Sequence, residues 1–219
     1  MAKSKNKEPR LWEIVVAAIL SLIVGLLGAV AFLVTLAPEE VSELPEPGER
    51  ELGRVYLIKG EEGDSSHATW EAKEEAVKAQ RSGEISVVEE ELNQWAEARL
   101  GGDGEGSGEA SFLHVESGVP NFRLEEGELF VSIPLTWNLF GFAETFESQT
   151  SGTFRQRGGS FEFDHDRVYV GSCPLPDFFA KRLVRDVIDS FQPLDELREG
   201  WANLENVSLE EEELALVIP

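Results

Sequence analysis

The sequence predicts an α+β protein in which an N-terminal transmembrane helix is followed by a curved antiparallel sheet with one or two apolar helices packed on it. Three observations carry that prediction. From Ile14 to Leu36 the chain holds no charged residue and no Asn or Gln. From Ala110 onward, apolar residues recur at every second position between turn signals. Around Phe178 to Phe191 they return at helical spacing, on a wide face.

The apolar stretch comes first. A hydrocarbon core of roughly 30 Å needs about 20 apolar residues in a helix, and residues 14–36 meet that length. Lys3, Lys5, Lys7 and Arg10 precede the stretch, against only Glu8 and Glu13, while an acidic segment follows it. Basic flanks stay on the cytoplasmic side. Residues 1–13 are therefore expected as a cytoplasmic tail, with the C-terminal part in the periplasm or outside the cell and the helix in the inner (cell) membrane of a bacterium. A cleaved signal peptide is the rival, because Ala29-Val30-Ala31 fits a small-x-small cleavage site. Cleavage there would leave Phe32 to Leu36 as an apolar end, and a cut after Ala37 would place Pro38 beyond the scissile bond. The run also exceeds the roughly 7–15 residues of a signal core, so an uncleaved anchor is expected. Ser21, Gly25 and Ala29 share a face at intervals of four, which would let two anchors approach closely as a homodimer. Gly and Ala are common enough in spanning helices that chance produces the same pattern.

Charge excludes some partners. With 19 Lys and Arg against 42 Asp and Glu, the net charge is −23. Such a surface repels nucleic acid phosphates and anionic lipid headgroups, so no nucleic-acid partner is expected, lipid contact is expected to be apolar, and a protein partner to be basic. Cys173 is the one cysteine, which removes an intrachain disulfide and suits a small buried hydrophobe.

Residues 37–53, rich in Pro and Glu, read as a semi-extended spacer, and residues 54–219 as one extracytoplasmic domain. Within the domain, 54–60 is a short β-run and 70–81 a surface helix with a thin apolar stripe. Residues 85–100 read as a helix capped by Ser86, with Glu89 at the capping-box position. The Gly-rich tract 101–109 lacks the spacing of a calcium loop and reads as flexible. A meander follows, with turns at Ser117-Gly118, Glu126-Gly127, Gly158-Gly159 and Asp164-His165-Asp166. Asn121–Glu125 and Leu129–Ile133 should pair as a hairpin, and Trp137 to Phe146 should lie on one long strand with apolar groups on both faces. Pro176 opens the apolar helix, Pro193 stops it, and two β-runs, Glu205–Leu209 and Glu213–Ile218, close the chain.

No site for chemistry emerges. His67, His114 and His165 have no ligand-spaced neighbours, there is no Gly-x-Ser-x-Gly elbow, and Cys173 has no adjacent base. No catalytic residue, metal or cofactor is expected, and the protein is read as a non-enzyme. The aromatic run points instead to binding. Trp137, Leu139, Phe140 and Phe142 on the sheet, with Phe178, Phe179, Leu183 and Val187 on the helix, would line an apolar groove able to hold a lipid acyl chain. The plainer alternative is that helices simply bury both faces of the strand. A solid domain acting as an envelope scaffold, through contact with another envelope protein, is the second functional expectation.

The order of elements also resembles a family. An anchor, then the helix-opening Ile85-to-Trp95 segment containing Glu91-Leu92-Asn93, then an antiparallel sheet, then Pro174-Leu175-Pro176 leading into a helix, is similar to the YpmS-type membrane-anchored bacterial proteins. The resemblance spans Ile85 to Ile218, while residues 54–81 and the Gly-rich tract have no counterpart in it. Those proteins are in turn similar to tubular lipid-binding proteins. The resemblance therefore implies a helix wrapped by a curved sheet and a lipid-handling role, without catalytic residues.

Overall fold

The computed structural model describes residues 10–46, 48–51, 53–60, 69–101, 113–139, 142–190, 193–210 and 212–219. The Gly-rich tract beyond Gly101 lies outside the described residues, as do His67 and Phe140.

Helix α1 (Leu11–Thr35) is long and apolar enough to cross a membrane. Its Leu, Ile and Val side chains are exposed on every side, and Glu13 accepts the Arg10 N–H at 3.0 Å to start it. Only at its end does it meet the rest of the chain. Leu33 and Val34 are half-buried there, and the Leu33 carbonyl accepts the Ser172 N–H at 2.9 Å.

The stretch expected as a spacer is shorter than its composition implied. Strand β1 (Glu39–Val41) pairs in parallel with β2 (Tyr56–Ile58), and Arg54 locks the pair through Glu39 at 2.7 Å. The chain is thus on the domain a few residues after α1. β2 is apolar at Leu57 and Ile58, both buried, and that burial is what draws β1 in beside it.

Next come α2 (Thr69–Lys78), β3 (Gly83–Val88) and α3 (Glu89–Leu100). The helix expected over 85–100 begins four residues later, because Ile85 to Val88 form a strand. These residues pair antiparallel with β12 (Glu213–Ile218), which pairs on its other edge with β11 (Asn206–Leu209). Ser86 caps nothing. Its hydroxyl donates to Glu213, while Glu91 accepts the Val88 N–H at the start of α3.

The main sheet is antiparallel and seven-stranded. It is organised around the hairpin of β6 (Glu128–Leu139) and β7 (Phe142–Arg157). The outer edge of β6 is shared by β4 (Leu113–Ser117) and β5 (Asn121–Glu125), and that of β7 by β8 (Ser160–His165) and β9 (Tyr169–Val170). β10 (Cys173–Pro174) extends from β9. The expected 121–125 hairpin is present, turning through Glu126 and Gly127 at φ 52° and 76°, and Gly158-Gly159 turns the β7–β8 hairpin the same way. The single long strand expected from Trp137 to Phe146 is instead two strands folded back, with Leu139 opposite Phe142. Of positions 137, 139, 142 and 146, expected along one strand, register places 137 and 139 on β6 and 142 and 146 on β7. His165, expected at a hairpin tip, ends β8 opposite Gly152.

Helix α4 (Asp177–Ser190) follows β10, and Pro193 begins α5 (Pro193–Ala202) instead of merely ending α4. The core lies between the β3–β12–β11 sheet, helices α2 and α5, and the β7–β8 end of the main sheet. Leu214, Leu216, Ile218, Val207, Val87, Val77 and Phe161 are buried together, with Trp201 and Leu197 of α5 packed on them. Trp201 donates its indole N–H to the Phe161 carbonyl at 2.7 Å, and its ring lies 5.4 Å from Phe154. The helix laid on the sheet is therefore α5, and α4 is not.

Candidate functional site

Polar side chains tie α3 to the main sheet. Asn93 accepts the Phe122 N–H at 2.7 Å and returns a bond to the Phe122 carbonyl at 2.9 Å, mimicking a strand on the free edge of β5. Asn121 does the same for Gly60, accepting its N–H at 2.7 Å. Glu89 accepts the Leu124 N–H at 2.9 Å and pairs with Arg123. A side chain at Gly60 would collide with the Phe122 carbonyl at 1.9 Å, so glycine is required there by close approach. Glu91 is buried and accepts from Thr69, Lys73 and the Val88 N–H. Burial raises its pKa, but these bonds and the Lys73 charge outweigh burial and hold the carboxyl below its ordinary value. Glu91 and Asn93, two of the residues that carry the family resemblance, thus act as structural ties.

The clamped sheet supports an open cleft of about 750 Å³. Its base is the middle of the β6–β7 hairpin, where Ser132 faces Gln149 and Val131 faces Thr150. The segment through β2 contributes Arg50, Arg54 and Tyr56; Glu125, Glu126 and Glu128 line the β5–β6 side, and Asp166, Arg167 and Tyr169 the β7–β9 side. Arg50 donates to the Pro45 carbonyl at 2.8 Å and Arg54 is held by Glu39 and Glu51. Arg167 is exposed and has no hydrogen-bond or ion-pair partner among the described residues. Hydroxyls, an amide and charges of both signs stand beside a comparable apolar lining from Leu44, Val55, Leu57, Ile58 and Phe130, a mixture that suits an extended peptide with both kinds of side chain.

The expected apolar groove is not brought together. Phe178 and Phe179 are 72% and 58% exposed, their rings 5.4 Å apart. Leu183 and Val187 are half-buried on α4. Trp137 packs edge-on against Phe146 at 5.8 Å, and its buried indole N–H meets no acceptor among the described residues. Leu139 and Phe142 are placed by register only, as the last pair of the hairpin, and Phe140 lies outside the described residues. The physical reason is the hairpin together with the route of the chain: β10 leads α4 off the sheet edge, and α5 takes the place over the core. Ser21, Gly25 and Ala29 do share an exposed stripe of α1.

Of the turn expected at 164–166, Asp164 is taken by Arg155 at 3.0 Å and Arg157 at 2.7 Å. Among the described residues no three His, Cys, Asp or Glu side chains converge as a metal site. Sequence reasoning missed the cleft because Arg50 sat inside the supposed spacer and Arg54 at its boundary. Arginines in an otherwise acidic tract were the available signal. The chain matches no protein-family model, no curated protein and no solved structure.

Proposed function

We propose that this chain is a single-pass bacterial membrane protein with its N-terminus in the cytoplasm. Its extracytoplasmic domain acts by binding and not by catalysis, and its cleft receives an extended, mixed-charge segment of an envelope protein. One observation carries the reading: the open cleft of about 750 Å³ over the β6–β7 hairpin, with Arg167, which has no ion-pair partner among the described residues, on its β7 side and Glu125, Glu126 and Glu128 on its β6 side. The uncovered apolar surface of α1 supports the anchor, and its basic flank the orientation. An overall charge of −23 favours a basic partner. Kinship with YpmS-type proteins is part of the proposal, as is curvature of the main sheet, which long antiparallel ribbons acquire from their twist.

The test is site-specific photocrosslinking in the producing cell, with the probe at Gln149 in the cleft or at Glu205 away from it. A discrete protein adduct from position 149, absent from 205 and weakened by Arg167→Glu, is expected. Equal labelling from both positions, or none from 149 together with stoichiometric lipid in the native mass of the purified chain, would overturn the protein-segment reading in favour of a lipid ligand.

A further inference from the structure

Outside α1 and the Leu36 that follows it, Phe178 and Phe179 are the large apolar side chains most exposed among the described residues, and no others reach their class. Exposed aromatics side by side require an occupant. Helix α4 presents two different surfaces. Ala180 is buried and Leu183, Val184 and Val187 are half-buried, so that stripe faces the protein. Phe178 lies on another stripe, with Lys181, Arg182 and Arg185 three, four and seven residues on and all exposed. The helix also carries Asp177, Asp186 and Asp189; Lys181 and Arg182 fall in the half that bears the two Phe residues and Arg185 just beyond it.

The route into α4 starts at the end of α1. Gly171, at φ 56°, sits so close to the Val34 and Leu33 carbonyls that a Cβ would fall 2.1 Å from the former. Ser172 donates to Leu33, and Leu175 donates to the Val168 carbonyl at 2.8 Å, so the segment between them is held and not slack. Phe178 follows Ser172 by six residues, which limits its Cα to roughly 20 Å from the last turn of α1. With α1 as a membrane anchor, the membrane–water boundary would begin at that same turn.

We propose that the N-terminal half of α4 is a membrane-contacting foot. Phe178 and Phe179 enter the headgroup layer of the bilayer that α1 crosses, and Lys181 and Arg185 meet anionic lipid phosphates. Aromatic rings flanked by snorkelling cations are the composition that this layer favours. The occupant is the lipid surface itself, because the foot is continuous through Gly171 and Ser172 with the segment that leaves the membrane. The inference rests on α1 being a membrane anchor.

The test uses the full chain, with Cys173→Ser as background, in nanodiscs of phosphatidylglycerol and phosphatidylcholine. A nitrobenzoxadiazole label is placed at Phe178→Cys, at Leu20→Cys in α1, or at Arg155→Cys on exposed β7. Iodide should reach the label at 178 several-fold less than at 155, and lipid-borne headgroup spin labels should quench it. Replacing phosphatidylglycerol by phosphatidylcholine should weaken that protection. A label at 178 as open to iodide as that at 155, with the label at 20 shielded, overturns the foot while the anchor stands. Exposure at both 20 and 178 would mean that the anchor reading had failed first. Because Phe178 is exposed, its replacement leaves folding intact, and Phe178→Asp with Phe179→Asp should abolish the protection of a label carried at Arg182→Cys.

Discussion

Helices α4 and α5 follow one another with residues 191–192 between them, and both are amphipathic, yet they end in opposite settings. In α5, Trp201 and Leu197 sit on the main core, and buried Gly200 lets the helix approach α2, its missing Cβ falling 2.5 Å from the Val77 carbonyl. In α4, Ala180 is buried while Phe178 and Phe179 stand in the open. An apolar face thus states that something must cover it but not what covers it. For α5 the cover is the rest of the chain. For α4 it lies, on our proposal, outside the protein.

Substitutions on the two helices should accordingly separate stability from attachment. The largest effect is expected from Trp201→Ala, which empties core volume and strips the Phe161 carbonyl of its donor: about 3–5 kcal/mol lost in a denaturant titration of the detergent-solubilised chain. Gly200→Ala should fail in the same direction, because the Val77 backbone would have to move. A smaller loss, about 1–3 kcal/mol, should follow Asn93→Ala, which leaves both polar groups of Phe122 unpaired beside α3. Hydrogen exchange should then rise in β5 first.

Glu91 sharpens the comparison through pH. Its carboxyl is held below its ordinary value, so its stabilisation is fully present above the unfolded pKa and is lost as pH falls through the lower folded one. The chain should lose stability below about pH 4.5, and Glu91→Gln should flatten that part of the profile. A profile unchanged by Glu91→Gln would remove the residue from the account. The smallest effect on folding belongs to Phe178→Ser, expected within about 0.5 kcal/mol in detergent because the side chain is 72% exposed. Its effect should appear only when a bilayer is supplied.

The legible parts of the sequence were those whose cause is local. Glu126-Gly127 and Gly158-Gly159 announced their hairpins because only a positive φ closes such turns. α1 announced itself through length and composition, and α4 through spacing. The β6–β7 hairpin was hidden because no Asn-Gly or Gly-Gly pair marks the reversal near Gly141. β3 was hidden because Ser86 and Glu89 have a capping-box spacing, while the partner that claims Ser86 is Glu213, 127 residues away. Pairing at that separation leaves no trace in a local window. The cleft was the least legible feature, because its sides come from a supposed spacer, a hairpin turn and the end of β8, which meet only after folding.

Only Leu36, Ala37 and Pro38 separate α1 from β1, a stem of roughly 10 Å at full stretch. In the proposed setting the domain is therefore not a lure on a long line sweeping the space above the membrane. It travels with its cleft at nearly one altitude and one heading, so encounters become a two-dimensional search, and the partner's segment must present itself at that height. Lengthening the stem by a flexible insert between Ala37 and Pro38 would trade this alignment for reach.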